Sequence, residues 1–174
     1  MGPPADTPAA ETRPDVETDH IDAADDGGPR GWGLAVRPFQ LDLGVVGAEL
    51  GVAVGPSTAV TLEADWLALA PGRAYGATLG VAIFPTRPAF HGFYVHPRLE
   101  SWRIPAGGSP RNAVGAGALA GYEWTAPAGA TLKLGAGLAY CAWLPGPGPQ
   151  TVPSPVVPGT GVLPEVDVAV GWVF

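Results

Sequence analysis

The chain has 174 residues, 14% of them charged, with 26 glycines, 21 prolines, one cysteine and a formal net charge of −7. That length suits one domain with a real core; the glycines and prolines disfavour long helices, the acidic balance argues against nucleic acid as a partner, and a single cysteine permits neither an internal disulfide nor a thiolate metal cluster. No apolar run reaches the roughly 18 residues of a membrane helix, and no secretory signal is recognisable.

Residues 1–31 carry eight acids (Asp6, Glu11, Asp15, Glu17, Asp19, Asp22, Asp25 and Asp26) against two bases, Arg13 and Arg30. Such a segment cannot bury enough apolar surface to offset its chain entropy. It predicts a disordered acidic tail ahead of one domain over residues 32–174.

From Trp32 onward, short runs of alternating polarity are broken by turn residues. The first two, Gly33–Leu43 and Val45–Val54, are divided only near Gly44, so one long strand there would make seven runs instead of eight. Thr58–Leu69 follows "GPS", and Arg73–Phe84 follows "APG". "PTRPA" leads into Phe90–Arg103, and "PAGGSPR" into Asn112–Trp124. "APAG" precedes Thr131–Trp143. The stretch "PGPGPQTVPSPVVPGTG" is too rich in proline to pair in a sheet, so it reads as a long loop before Val162–Phe174.

Successive strand residues point to opposite faces. In the last run Val166, Val168, Val170, Trp172 and Phe174 share one face, and Glu165, Asp167, Ala169 and Gly171 the other. The same division recurs in the other runs. Every acid beyond the tail (Asp42, Glu49, Glu63, Asp65, Glu100, Glu123, Glu165 and Asp167) falls on the face rich in glycine and alanine. Small residues suit the inside of a narrow barrel, where side chains converge. The continuous apolar face then lies outside, and the solvent it meets is lipid.

Threading the runs up and down sets Trp66, Tyr75, Trp102, Tyr140 and Trp143 near one rim, with Arg73, Arg103 and Arg111. Phe84, Phe90, Phe93, Tyr122, Trp124, Trp172 and Phe174 fall near the other, with Arg37 and Arg87. Two aromatic belts around a Val/Leu/Ala band form the interface pattern of a membrane barrel. The expected fold is therefore all-β: an eight-stranded antiparallel up-and-down transmembrane barrel. Its last strand would pair with its first, which lets the chain stop at Phe174. The rival architecture is a soluble lipocalin-like binding barrel with an apolar interior; it leaves the belts and the segregated acids without a cause.

With these residues in place, the chain resembles small bacterial outer-membrane β-barrels of the OmpA/OmpW-like kind. "VDVAVGWVF", with Val170, Trp172 and Phe174, resembles the C-terminal signature that the outer-membrane assembly machinery recognises in that family. "GYEWTAPAGATLKLGAGLAY" resembles its short periplasmic hairpins, and "AFHGFYVHPRLE" and "NAVGAGALAGYEW" are similar to segments of an uncharacterised branch. The resemblance covers residues 33–174. It implies a porin-like cell-envelope protein of Gram-negative bacteria, located in the outer membrane, with membrane lipids and the assembly machinery as partners. It also implies a cleaved signal and a periplasmic tail.

Little chemistry emerges from the residues themselves. "GAGALAG" misses the G-x-G-x-x-G spacing and lies within a strand. The four serines (Ser57, Ser101, Ser109 and Ser154) sit in turns or near strand ends. Some barrels deacylate lipid with a His and a Ser two residues apart, but here Phe93 stands two after His91. His96 and Cys141 point inward, and each reads better as a satisfied interior group than as a reactive one. The reading is a monomer without enzymatic activity, cofactor or metal, serving a structural or interaction role. A membrane-embedded lipid-modifying enzyme and a small cation-preferring channel are the alternatives.

The lumen is expected to be closed by a charged network built on Arg98 and Lys133, the only inward bases on this reading, with the eight acids around them. Arg98 should stand beside Gly76 and Gly117 and hold Glu100 with Asp42, Glu49 or Glu63. Arg98→Ala should then cost about 3–5 kcal/mol. An outward charge such as Leu134→Arg should cost about 2–4 kcal/mol at the bilayer midplane, and the inward Gly135→Ser should be milder.

Overall fold

The computed structural model describes residues 2, 30–38, 45–69, 72–104, 110–145 and 160–174. Eight strands close into an antiparallel up-and-down barrel: β1 (Trp32–Arg37), β2 (Val45–Gly55), β3 (Thr58–Leu69), β4 (Gly72–Ile83), β5 (Gly92–Ile104), β6 (Arg111–Thr125), β7 (Ala130–Trp143) and β8 (Gly161–Val173). Each pairs with its neighbours in sequence, and β8 pairs with β1 through Leu34↔Trp172 and Val36↔Val170. The Phe174 N–H donates to the Trp32 carbonyl at 2.8 Å, and the Gly31 N–H donates to the Phe174 carbonyl at 2.7 Å. Over Val170–Phe174 the closing seam thus satisfies backbone groups that an open edge would leave unpaired.

The gap near Gly44 does separate two strands, but the first ends at Arg37 instead of Leu43. Pro38 has no N–H with which to continue the ladder. Asp42 and the acidic segment 3–29 lie outside the described residues, as does most of the proline-rich loop. Arg30 and Gly31, assigned by composition to the tail, are tied to the barrel. Arg30 Nη2 donates to the carbonyls of Ala126 and Pro127 at 3.0 and 2.9 Å, clamping the β6–β7 turn.

Parity sorts the two faces. Glu49, Glu63, Asp65, Glu100, Glu123 and Asp167 are buried inside, while Leu34, Leu50, Leu62, Leu79, Leu99 and Leu138 are exposed outside. Among the described strand residues, the outward positions carry no Asp, Glu, Lys or His, and their only charges are Arg73 and Arg103. Outward aromatics mark both ends. At the end holding the termini stand Trp32, Phe93, Tyr122, Trp124, Trp172 and Phe174, with Trp32 and Phe174 stacked at 4.2 Å. At the far end stand Trp66, Tyr75 and Tyr140.

Four aromatics expected in the belts are turned inward instead. Trp102 and Trp143 pack with Leu67, Ala74 and Ile104 into an apolar layer across the far end. Arg111 is buried there too, its guanidinium 4.6 Å from the Trp143 ring. Phe84 and Phe90 are buried at the terminal end, Phe84 with Tyr94 and Leu119, and Phe90 with Ala59 and Val173. Phe90 belongs to the β4–β5 turn, not to a strand, and has the uncommon φ of 67°. The Thr125 hydroxyl donates to its carbonyl, and the Ala89 N–H donates to that of Pro56 at 2.9 Å, so the turn is drawn back over the barrel mouth.

The luminal glycines make room for these fillers. A Cβ on Gly51 would lie 2.7 Å from the Phe90 ring, and one on Gly76 would lie 2.8 Å from Trp102. A Cβ on Gly80 would collide with His96, and one on Gly135 with the Tyr94 hydroxyl. Gly135→Ser is therefore not a mild change: overfilling so tight a space costs about 1–3 kcal/mol.

Candidate functional site

The alternation of each strand delivers its charged side chains to the middle of the lumen, between the two apolar layers. Three cations link six carboxylates there in one continuous network. Lys133 Nζ on β7 donates to both Glu49 oxygens, at 2.8 and 2.6 Å, and lies 3.7 Å from Asp167 Oδ2. Arg37 Nε on β1 donates to Asp167 Oδ1 at 2.8 Å, and its Nη1 reaches Glu63 at 2.5 Å and Asp65 at 3.3 Å. Arg98 on β5 lies 2.7 Å from Glu165, 3.0 Å from Glu100 and 3.8 Å from Glu63. The Arg98 contacts are ion pairs, the one to Glu165 being the shortest.

Asp167 thus joins Lys133 to Arg37, and Glu63 joins Arg37 to Arg98. Pairing these charges with one another, several of them across the lumen, offsets the desolvation that an isolated buried charge would suffer. Glu123 is held differently: the Thr131 hydroxyl donates to it at 3.0 Å. Every described residue expected in the network is inside the barrel, and every acid among them but Glu123 pairs with a cation.

Three details differ from expectation. Arg37 is not a rim residue; it is an inward hub with three carboxylates, a number Arg98 matches with longer or less aligned contacts. Arg98 pairs with Gly117 as expected, but across β4 its partner is Gly80, while Gly76 faces Trp102. Glu49 is held by Lys133, so Arg98 takes Glu165 in its place. A readable sign of the Arg37 orientation exists in "WGLAVR", where Arg37 shares parity with the small inward residues Gly33 and Ala35.

Around the network, Thr61 Oγ1 and His96 Nε2 form a buried hydrogen bond of 2.8 Å. Lys133 Nζ sits 5.4 Å from the Tyr94 ring centroid, within cation–π range. Cys141 is buried and unpaired in a disulfide. A cavity of about 10 Å³ beside Glu49, Lys133 and Phe90 has room for about one water. The interior is filled with side chains, as expected when only eight strands close. Comparison with protein-family models, with curated proteins and with solved structures finds no match in any of the three.

Proposed function

We propose that the protein is a monomeric, non-catalytic outer-membrane β-barrel of OmpA/OmpW-like kind. Its role on this reading is structural or interaction-based, with the lumen held closed by the charged network. The observation that carries the reading is the reversal of polarity: a charged, filled interior within an apolar outer surface. Ten residues separate outward Phe93 from outward Arg103 on β5. At about 3.3 Å per residue and a strand tilt of about 40°, they span about 25 Å, the height of a lipid-facing band. A lipocalin-like binder would need the opposite arrangement, with an apolar cavity inside and polar groups outside.

In this reading the termini face the periplasm. Val170, Trp172 and Phe174 present the alternating apolar signal to the assembly machinery, and membrane lipids are the barrel's solvent. Folded protein in detergent should migrate differently on unboiled and boiled SDS gels, and it should float with phosphatidylcholine vesicles. A monodisperse folded protein in plain buffer, without detergent, would overturn the proposal.

The same reading ranks outward substitutions by depth. Leu99 projects outward between Phe93 and Arg103, near the middle of the band, whereas Leu134 pairs with Tyr122 of the terminal-end aromatic row. Leu99→Arg should cost about 2–4 kcal/mol in denaturant titrations of the vesicle-inserted barrel, and Leu134→Arg less, because the penalty falls towards the interface. Equal tolerance of arginine at both positions would count against a lipid-facing band.

A further inference from the structure

The two outward charges of the barrel are neighbours. Arg103 on β5 lies directly opposite Tyr75 on β4, and Arg73 is two residues from Tyr75 on the same strand. The arginines therefore occupy diagonal positions, whose spacing of about 7–8 Å long side chains readily bridge. Both are exposed at the far end, and neither has an ion-pair partner among the described residues. Arg73 lies 5.6 Å from the ring of Trp66, which fixes one side of the pair. The far-end loops (38–44, 70–71, 105–110 and 144–160) contain a single charged residue, Asp42, in the segment between β1 and β2.

Two guanidinium groups side by side, with no ion-pair partner among the described residues, repel each other unless an anion lies between them. Their planar forks match phosphate oxygens in a way that a lysine ammonium does not. Trp66 and Tyr75 supply an apolar bed of the kind that sits at headgroup depth. We infer that Arg73 and Arg103, with Trp66 and Tyr75, form a site for the phosphate-bearing headgroup of a lipid in the far-end leaflet. The inference rests on the membrane reading above. At the opposite rim the outward strand positions carry aromatics and no arginine, so the site is specific to one leaflet.

The test uses the full chain reconstituted in phosphatidylcholine and doped with phosphatidic acid, with bound lipids counted by native mass spectrometry. Wild type should retain phosphatidic acid in preference to phosphatidylcholine. Each of Arg73→Gln and Arg103→Gln should lower that preference roughly fivefold, and the double variant roughly twenty-five-fold. Arg87→Gln, in the exposed turn at the other end, should leave it unchanged. A barrel that inserts but shows no preference, or loses it equally in Arg87→Gln, would overturn the headgroup site alone. A chain that enters no vesicle would overturn the membrane reading and this inference with it.

Discussion

Arg37→Ala is expected to destabilise the barrel by about 3–5 kcal/mol, the range for removing one partner from a buried ion network. The guanidinium contacts Glu63, Asp65 and Asp167, and it is the only cation within ion-pair distance of Asp65 among the described residues. Its loss leaves Asp65 unpaired, Glu63 with only a 3.8 Å contact to Arg98, and Asp167 with only a 3.7 Å contact to Lys133. Arg37→Lys should recover only part of the loss, since one ammonium cannot span three carboxylates on two strands as the planar fork does. Adding Asp167→Asn to Arg37→Ala removes one of the orphaned charges, so the double variant should be more stable than the sum of the single losses implies. Urea titrations in vesicles, read by tryptophan fluorescence, measure all three. A loss for Arg37→Ala no larger than that of a surface arginine, within about 0.5 kcal/mol, would show that the network contributes no stability.

The sorting of acids and glycines to one face was legible because a strand's side chains alternate with period two, and that rule needs no knowledge of the partner strand. Its failures lie where the rule does not reach. A single strand over residues 33–43 carries the parity of Asp42 back across Pro38, beyond the end of the ladder at Arg37, and so puts Arg37 on the wrong face. Phe84 and Phe90 keep the inward parity of Ala82 and Gly92, and nearness to a rim, on which the rule is silent, does not turn a side chain outward. Trp102 is the same case: it shares parity with Arg98 and Glu100 and faces inward although it lies near a rim. The neighbour of Arg98 on β4 is not legible in the sequence, although Gly117 on β6 is. Gly76 and Gly80 are four residues apart, and a slip by an even number keeps every side chain on its face, so the hydrophobic pattern does not distinguish the two registers. Length and conformation of the β4–β5 turn decide it.

Planar bilayers containing the wild-type barrel should show no steady conductance of a water-filled pore. Three layers stand in the way of an ion. Phe84, Phe90, Tyr94 and Leu119 lie across the terminal end, the network of Arg37, Arg98 and Lys133 fills the middle, and Leu67, Ala74, Ile104, Trp102 and Trp143 cross the far end. The layers close by different physics. The outer two are built mainly of apolar and aromatic side chains, so entry would cost a cation much of its hydration. The middle one holds its charges against each other at ion-pair distance. Arg98→Ala alone should therefore remain quiet in the bilayer even where it is destabilised, because both apolar layers survive. Combining it with Phe90→Gly and Trp102→Ala takes one large group from each layer and should produce measurable current. That current should favour cations, since Glu49, Glu63, Asp65, Glu100, Glu123, Glu165 and Asp167 would then outnumber Arg37, Arg111 and Lys133 along the lumen. Heat-modifiable migration of the triple variant must be checked first, so that leakage from a misfolded chain is not read as a pore. Steady, cation-selective conductance in the wild type would overturn the closed lumen and make the protein a small channel instead.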